Sequence, residues 1–99
     1  MPVINVSFQV LPQVSDGDLY AVVDKAIEVV QQSGVPYEVG PMETTMEGEL
    51  DELLEIVKKA QQACIGAGAS RVITLVKIDN LPEGVTMAEK VDKYRPCRD

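Results

Sequence analysis

Histidine is absent from this chain of 99 residues, and cysteine occurs only twice. Without imidazole, general acid or base work falls to carboxylates, lysine or tyrosine, and nothing in the sequence pairs those groups for proton transfer. Cys64 and Cys97 form no C-x-x-C and have no histidine to complete a ligand set, which argues against zinc, iron–sulfur and disulfide roles. Cys64 falls on the apolar stripe of a predicted helix and reads as a small core residue, while Cys97 lies in the polar tail as an exposed thiol. No G-x-S-x-G elbow places a base beside a serine, and no glycine-rich loop opens a helix as a phosphate cradle does. A catalytic set is therefore not assigned.

Basic residues are also scarce. The 9 lysines and arginines stand against 16 acidic residues, for a net charge of -7. Nucleic acid is disfavoured, because phosphate binding needs a cationic surface that releases counterions, and an anionic membrane surface is disfavoured for the same reason. Acidic surface suits a small cationic ligand, and it equally serves solubility. No apolar run reaches the roughly 18 residues of a membrane span, and Met1-Pro2-Val3-Ile4-Asn5 lacks the features of a secretory signal, so a cytoplasmic location is expected. The length fits a single domain spanning 1–99.

What is present is strong periodicity. Ile4, Val6, Phe8 and Val10 alternate with Asn5, Ser7 and Gln9, predicting a half-buried strand over Val3 to Leu11. Ser15-Asp16-Gly17-Asp18 has capping-box spacing, with Ser15 as the expected N-cap. The helix that follows carries Leu19, Val22, Val23, Ala26, Ile27 and Val30 on one stripe and ends at Gly34. Val35 to Val39 predicts a short strand that Pro36 pushes toward an edge. Gly40-Pro41 turns the chain into a third strand, Met42 to Glu47. After Gly48 a second amphipathic helix carries Leu50, Leu53, Leu54, Val57, Ala60 and Cys64, with a helpful Glu55 to Lys59 pair on its wet side. Arg71 to Asp79 is apolar at alternate and intervening positions, which predicts a strand covered from both sides. Beyond it, Thr86-Met87-Ala88-Glu89 has the spacing of another capping box, predicting a short helix through about Tyr94 before Pro96.

The order is βαββαβ, the ferredoxin-like sandwich: a four-stranded antiparallel sheet with two helices on one face. The core would occupy about 3–79, with residues 80–99 as loop, short helix and tail. The other sheet face would carry Asn5, Ser7 and Gln9 with Glu43, Thr45 and Glu47, plus apolar residues of the fourth strand. Such a mixed surface is more readily buried by copies of itself than left wet, so a homodimer or homotetramer through the sheet face is expected.

The segment from Gly40 to Asp51 is the one stretch whose chemistry goes beyond packing. Its hydroxyls and carboxylates suit a heteroaromatic amine with several polar edges, although threonine is also favoured in strands for its shape alone. Its carboxylates have the oxygen chemistry of a divalent-cation site, but Glu49, Asp51 and Glu52 are also ordinary decoration for a helix N-terminus, so no metal is assigned.

The motif Pro41-Met42-x-Thr44-x-Met46-Glu47-Gly48-Glu49, preceded by Ser33-Gly34-Val35-Pro36-Tyr37 and followed by Gly68-Ala69-Ser70-Arg71-Val72, resembles the small thiamine-binding proteins that include the YkoF-like family. The similarity runs from Ile4 to about Ile78. It implies the ferredoxin-like fold, assembly through the sheets into homodimers or homotetramers, and binding of thiamine or its hydroxymethylpyrimidine part without catalysis and without any other cofactor. Thr44 and Glu47-Gly48 match the motif, whereas Thr45 falls where the family varies. Met42 would line the pocket with Thr44 and Met46, and Ser7 and Gln9 enter from the pairing geometry of strand one. Alternation puts Thr44 and Glu47 on opposite sheet faces, so the pocket lies either between sheet and helices or across a subunit interface with Glu47 and Thr45. Glu47 could equally be a capping or interface residue. The competing expectation is a structural or regulatory oligomer that holds no small ligand.

Overall fold

Alternation in the first strand sets the architecture. The computed structural model describes residues 2–15 and 17–95. Strand β1 (Ile4–Gln13) is followed by helix α1 (Leu19–Gln32), β2 (Tyr37–Val39), β3 (Thr44–Gly48), α2 (Leu50–Gly66), β4 (Arg71–Asp79) and α3 (Met87–Val91), with a final 3-10 turn at Asp92–Tyr94. The strands form one sheet in the order β2-β3-β1-β4, and every pairing is antiparallel. This is the expected βαββαβ sandwich with a short C-terminal helix.

Register shows which residues share a face. Val6 lies opposite Met46 and Ile78, and Phe8 opposite Thr44 and Val76, so these point toward the helices. Ile4, Val6, Phe8 and Val10 pack there against Val22, Ala26 and Val30 of α1 and Leu53, Ile56, Val57, Ala60 and Cys64 of α2. Met46 and Leu53 are fully enclosed, and burying each contributes about 1.5–3 kcal/mol. Cys64 is part of this layer, where burial pushes its thiol pKa up, as expected of a core residue.

Several local expectations change. The N-cap of α1 is Asp18, whose side chain accepts from the Tyr20 amide at 2.9 Å, and not Ser15. The helix begins only at Leu19, out of Ser15's reach; Asp16 of the expected box lies outside the described residues, as do Pro96 and Cys97. β3 starts at Thr44, not Met42, because the Gly40 amide donates to the Glu43 carbonyl and closes a tight turn first. A Cβ at position 40 would stand 2.9 Å from that carbonyl, which explains the glycine. Glu55 pairs with Lys58, one residue short of the expected Lys59.

The largest correction concerns β4. It is not covered from both sides: Leu75 and Ile78, on opposite faces, remain 51% and 48% exposed. As the edge strand beside β1, β4 reaches past the cover of the helices, so its apolar residues on both faces meet solvent in the single chain.

Candidate functional site

The face of the sheet turned away from α1 and α2 carries two polar rows. Pairing aligns Glu38, Thr45, Ser7 and Lys77 across all four strands, and the next row aligns Glu47, Asn5 and Asp79. The Ser7 and Thr45 hydroxyls are 2.8 Å apart and hydrogen-bonded. Lys77 Nζ lies 2.8 Å from Glu43 Oε1, and this hydrogen bond from Lys77 holds the Glu43 carboxyl below its ordinary value, with a smaller hydrogen-bond contribution from Ser7.

The C-terminal segment crosses these rows as a strap. Gly84 directs it: with φ of +91° its amide donates to the Leu81 carbonyl, and the next amide, of Val85, donates to the Val3 carbonyl at 2.8 Å. Asn5 Nδ2 then donates to the Val85 carbonyl at 3.4 Å. Thr86 caps α3 by accepting from the Glu89 amide, the capping spacing expected there. Glu47 Oε1 accepts from the Met87 amide at 2.6 Å, fastening the strap to β3. Lys90 pairs with Asp79 at 2.5 Å, and Arg95 pairs with Glu38. Exposed ion pairs of this kind contribute about 0–1 kcal/mol each, so the Glu47 bond and the buried Val85 are the firmer anchors.

Between strap and sheet lies a recess of about 330 Å³, lined on the sheet side by Asn5, Ser7, Glu43, Thr45 and Lys77 and on the strap side by Met87, Lys90 and Val91. That volume is at the lower end of what small-ligand sites offer, about 300–1,000 Å³. The three carboxylates of the lining, of Glu38, Glu43 and Asp79, are each paired with a cation, Arg95, Lys77 and Lys90 in turn, so the charges at the recess are balanced. Asn5 is 3% exposed and its Oδ1 has no hydrogen-bond partner. An unpaired buried acceptor costs about 1–3 kcal/mol, which makes it the least settled polar group of the recess.

The residues singled out from sequence divide among separate places. Ser7 and Thr45 line the recess. Thr44 is on the helix side of the sheet, and with Gln9 and Met42 it borders a second hollow of about 220 Å³ beside Val23, Ala26 and Ile27 of α1. Met42 is in the β2–β3 turn and 77% exposed, while its expected neighbour Met46 is sealed in the core. Glu47 borders a third, more open hollow with Gly48, Glu49 and Glu52, and one of its carboxylate oxygens is engaged by the strap. The hydroxyls of the Gly40 to Asp51 segment thus do not share one site, since Thr44 and Thr45 alternate to opposite faces. Asn5, Lys77, Asp79 and the strap residues were not singled out; Asn5 shared the polar alternation of Ser7 and Gln9, but nothing local marked it as buried. Among the described residues, no cluster of three histidine, cysteine, aspartate or glutamate side chains is arranged to hold a metal ion, and none of the helices is long and apolar enough to cross a membrane.

Comparison with known proteins agrees with this frame. Residues 6–95 match the sequence model of the family described as thiamine-binding protein. A UPF0045 protein of Clostridium perfringens is 63% identical over 95 residues, covering 96% of this chain and 100% of that protein. The solved structure of a domain of unknown function, DUF77, from Bacillus cereus superposes with a TM-score of 0.92 at 64% identity, over 95% of this chain and 91% of the other. A candidate thiamine biosynthesis/salvage protein of Thermotoga maritima superposes with a TM-score of 0.87 at 42% identity, over 95% of this chain and 100% of its own. With nearly its whole length matched, this chain belongs to the thiamine-binding protein family.

Proposed function

We propose that the protein binds thiamine, or the hydroxymethylpyrimidine part of it, non-covalently and without transforming it, in the recess between the open sheet face and the strap. The observation that carries this reading is the bonded Ser7–Thr45 hydroxyl pair at the recess floor, bordered by acidic side chains and roofed by Met87 and Val91. Hydroxyls can donate to and accept from a heteroaromatic ring edge, the apolar strap side chains can lie against its face, and the net charge of -7 suits a cation. Glu43 and Asp79 are each engaged by a lysine, which leaves them as structural and electrostatic elements rather than proton carriers. Thr45 and Ser7 contact ligand in this reading, Glu47 acts through the strap, and Thr44, Met42 and Gln9 stand at the α1 hollow.

The protein acts in this reading as a cytoplasmic homo-oligomer. Leu11, Ile73 and Leu75 lie on the same open face as the recess and are each more than two-fifths exposed, a surface that copies of the chain would cover. Thermal unfolding with increasing thiamine and hydroxymethylpyrimidine tests the binding: the midpoint rises with concentration for a ligand that binds only the folded state. No rise for either at millimolar concentration refutes it, and a preserved oligomer in that case would favour a structural assembly. Light scattering on Leu75→Lys tests the assembly, with a reduced particle mass expected and an unchanged mass overturning this interface.

A further inference from the structure

Asn5 carries information about which edge of a ligand the recess accepts. The Val85 carbonyl can only accept, so the Asn5 amide must present Nδ2 to it, and that leaves Oδ1 directed away from the strap's main chain with no partner. Beside it, the Ser7 and Thr45 hydroxyls are bonded to each other at 2.8 Å, and either one can be the donor. Lys77 and Lys90, the cationic groups of the lining, each point one ammonium at a carboxylate, of Glu43 and Asp79. The Asn5 Oδ1 is thus the buried acceptor of the floor that waits for a donor. Oδ1 is shielded from bulk water, so a ligand donor reaches it by shifting strap side chains, and the strap can yield because no residue of α3 is buried.

We propose that Asn5 is a specificity-determining residue whose Oδ1 accepts a hydrogen bond from the exocyclic amino group of an aminopyrimidine, so that the protein favours a 4-amino ring over the 4-oxo ring of the same shape. This rests on the binding reading above and sharpens it. A carbonyl oxygen in the amino position would face Oδ1, acceptor against acceptor, and leave the buried amide unpaired. Sites that hydrogen-bond an N–H group discriminate strongly for this reason.

Calorimetric titration with thiamine and with its 4-oxo analogue isolates the effect, since both carry the same thiazolium cation. The wild-type protein is expected to prefer thiamine by at least about tenfold. Asn5→Ala is expected to bring the two affinities within about threefold of each other, and Asn5→Asp, which keeps an acceptor, to retain the preference. If Asn5→Ala instead weakens both ligands together and leaves their ratio intact, Asn5 only supports the strap and the proposal is wrong. Equal wild-type affinity for the two ligands also overturns it while leaving the binding reading in place. Absence of binding by the wild type to either ligand overturns both.

Discussion

The two faces of β1 divide the molecule's work. Toward the helices it presents Ile4, Val6, Phe8 and Val10, all buried, and on the other side Asn5, Ser7, Gln9 and Leu11, of which only Asn5 is buried. On the first face apolar side chains interlock around Met46 and Leu53, and even the polar Thr44 is buried. On the second, polar groups meet in registered rows and the strap, anchored at Val85 and Met87, leaves room above them. Stability is concentrated on one side and the proposed recognition on the other, so substitutions on the two sides should have separable effects.

The sharpest separation should come from Leu53→Ala on the packed side. It is expected to lower unfolding free energy by about 2–5 kcal/mol in urea titration while the folded fraction keeps its ligand affinity, since the cavity forms far from the recess. Thr45→Val on the open side should do the reverse: a stability change of about 1 kcal/mol or less, with a loss of roughly tenfold in thiamine affinity by calorimetry. Thr44→Val, one residue away on the opposite face, should leave affinity within about twofold; a tenfold loss there would move the ligand to the hollow beside α1. Glu47→Gln weakens a charge-assisted bond to the strap and should speed hydrogen exchange of the Met87 amide by roughly five- to tenfold, with little change for core amides.

The smallest effect concerns acid. Because Lys77 lowers the folded pKa of Glu43 below its ordinary value of 4.5, the pair's contribution to stability is present above that value and fades as pH falls through the lowered one. Lys77→Met should abolish that part of the acid dependence in unfolding titrations across this window. The difference should amount to only a few tenths of a kcal/mol, as both side chains meet solvent.

Much of this division could be read from the sequence, and the exceptions have physical causes. Period-two alternation in β1 and the three-to-four spacing of α1 and α2 report directly on burial, so element order and the packed face followed from them. β4 misled because apolar residues at successive positions look the same whether helices, another chain or nothing covers them. Met42 was placed in a strand because alternation cannot register the Gly40–Glu43 turn that precedes it. Pairing geometry placed Ser7 beside Thr45, as the register has it, but Gln9, inferred with it, borders the α1 hollow instead. The strap's contacts, Glu47 to the Met87 amide and Asn5 to the Val85 carbonyl, join residues far apart in the chain, and local pattern carries no trace of such meetings.

The central position of β1 has a further consequence for how the protein is made. Its outer neighbour is β4, synthesised after everything else in the sheet, and Asn5 meets Asp79 only then. During translation one flank of β1 therefore waits unpaired, a template for association with other nascent chains. The recess needs the later α3 as well, so a chain interrupted soon after β4 would complete its sheet yet lack the roof of the recess.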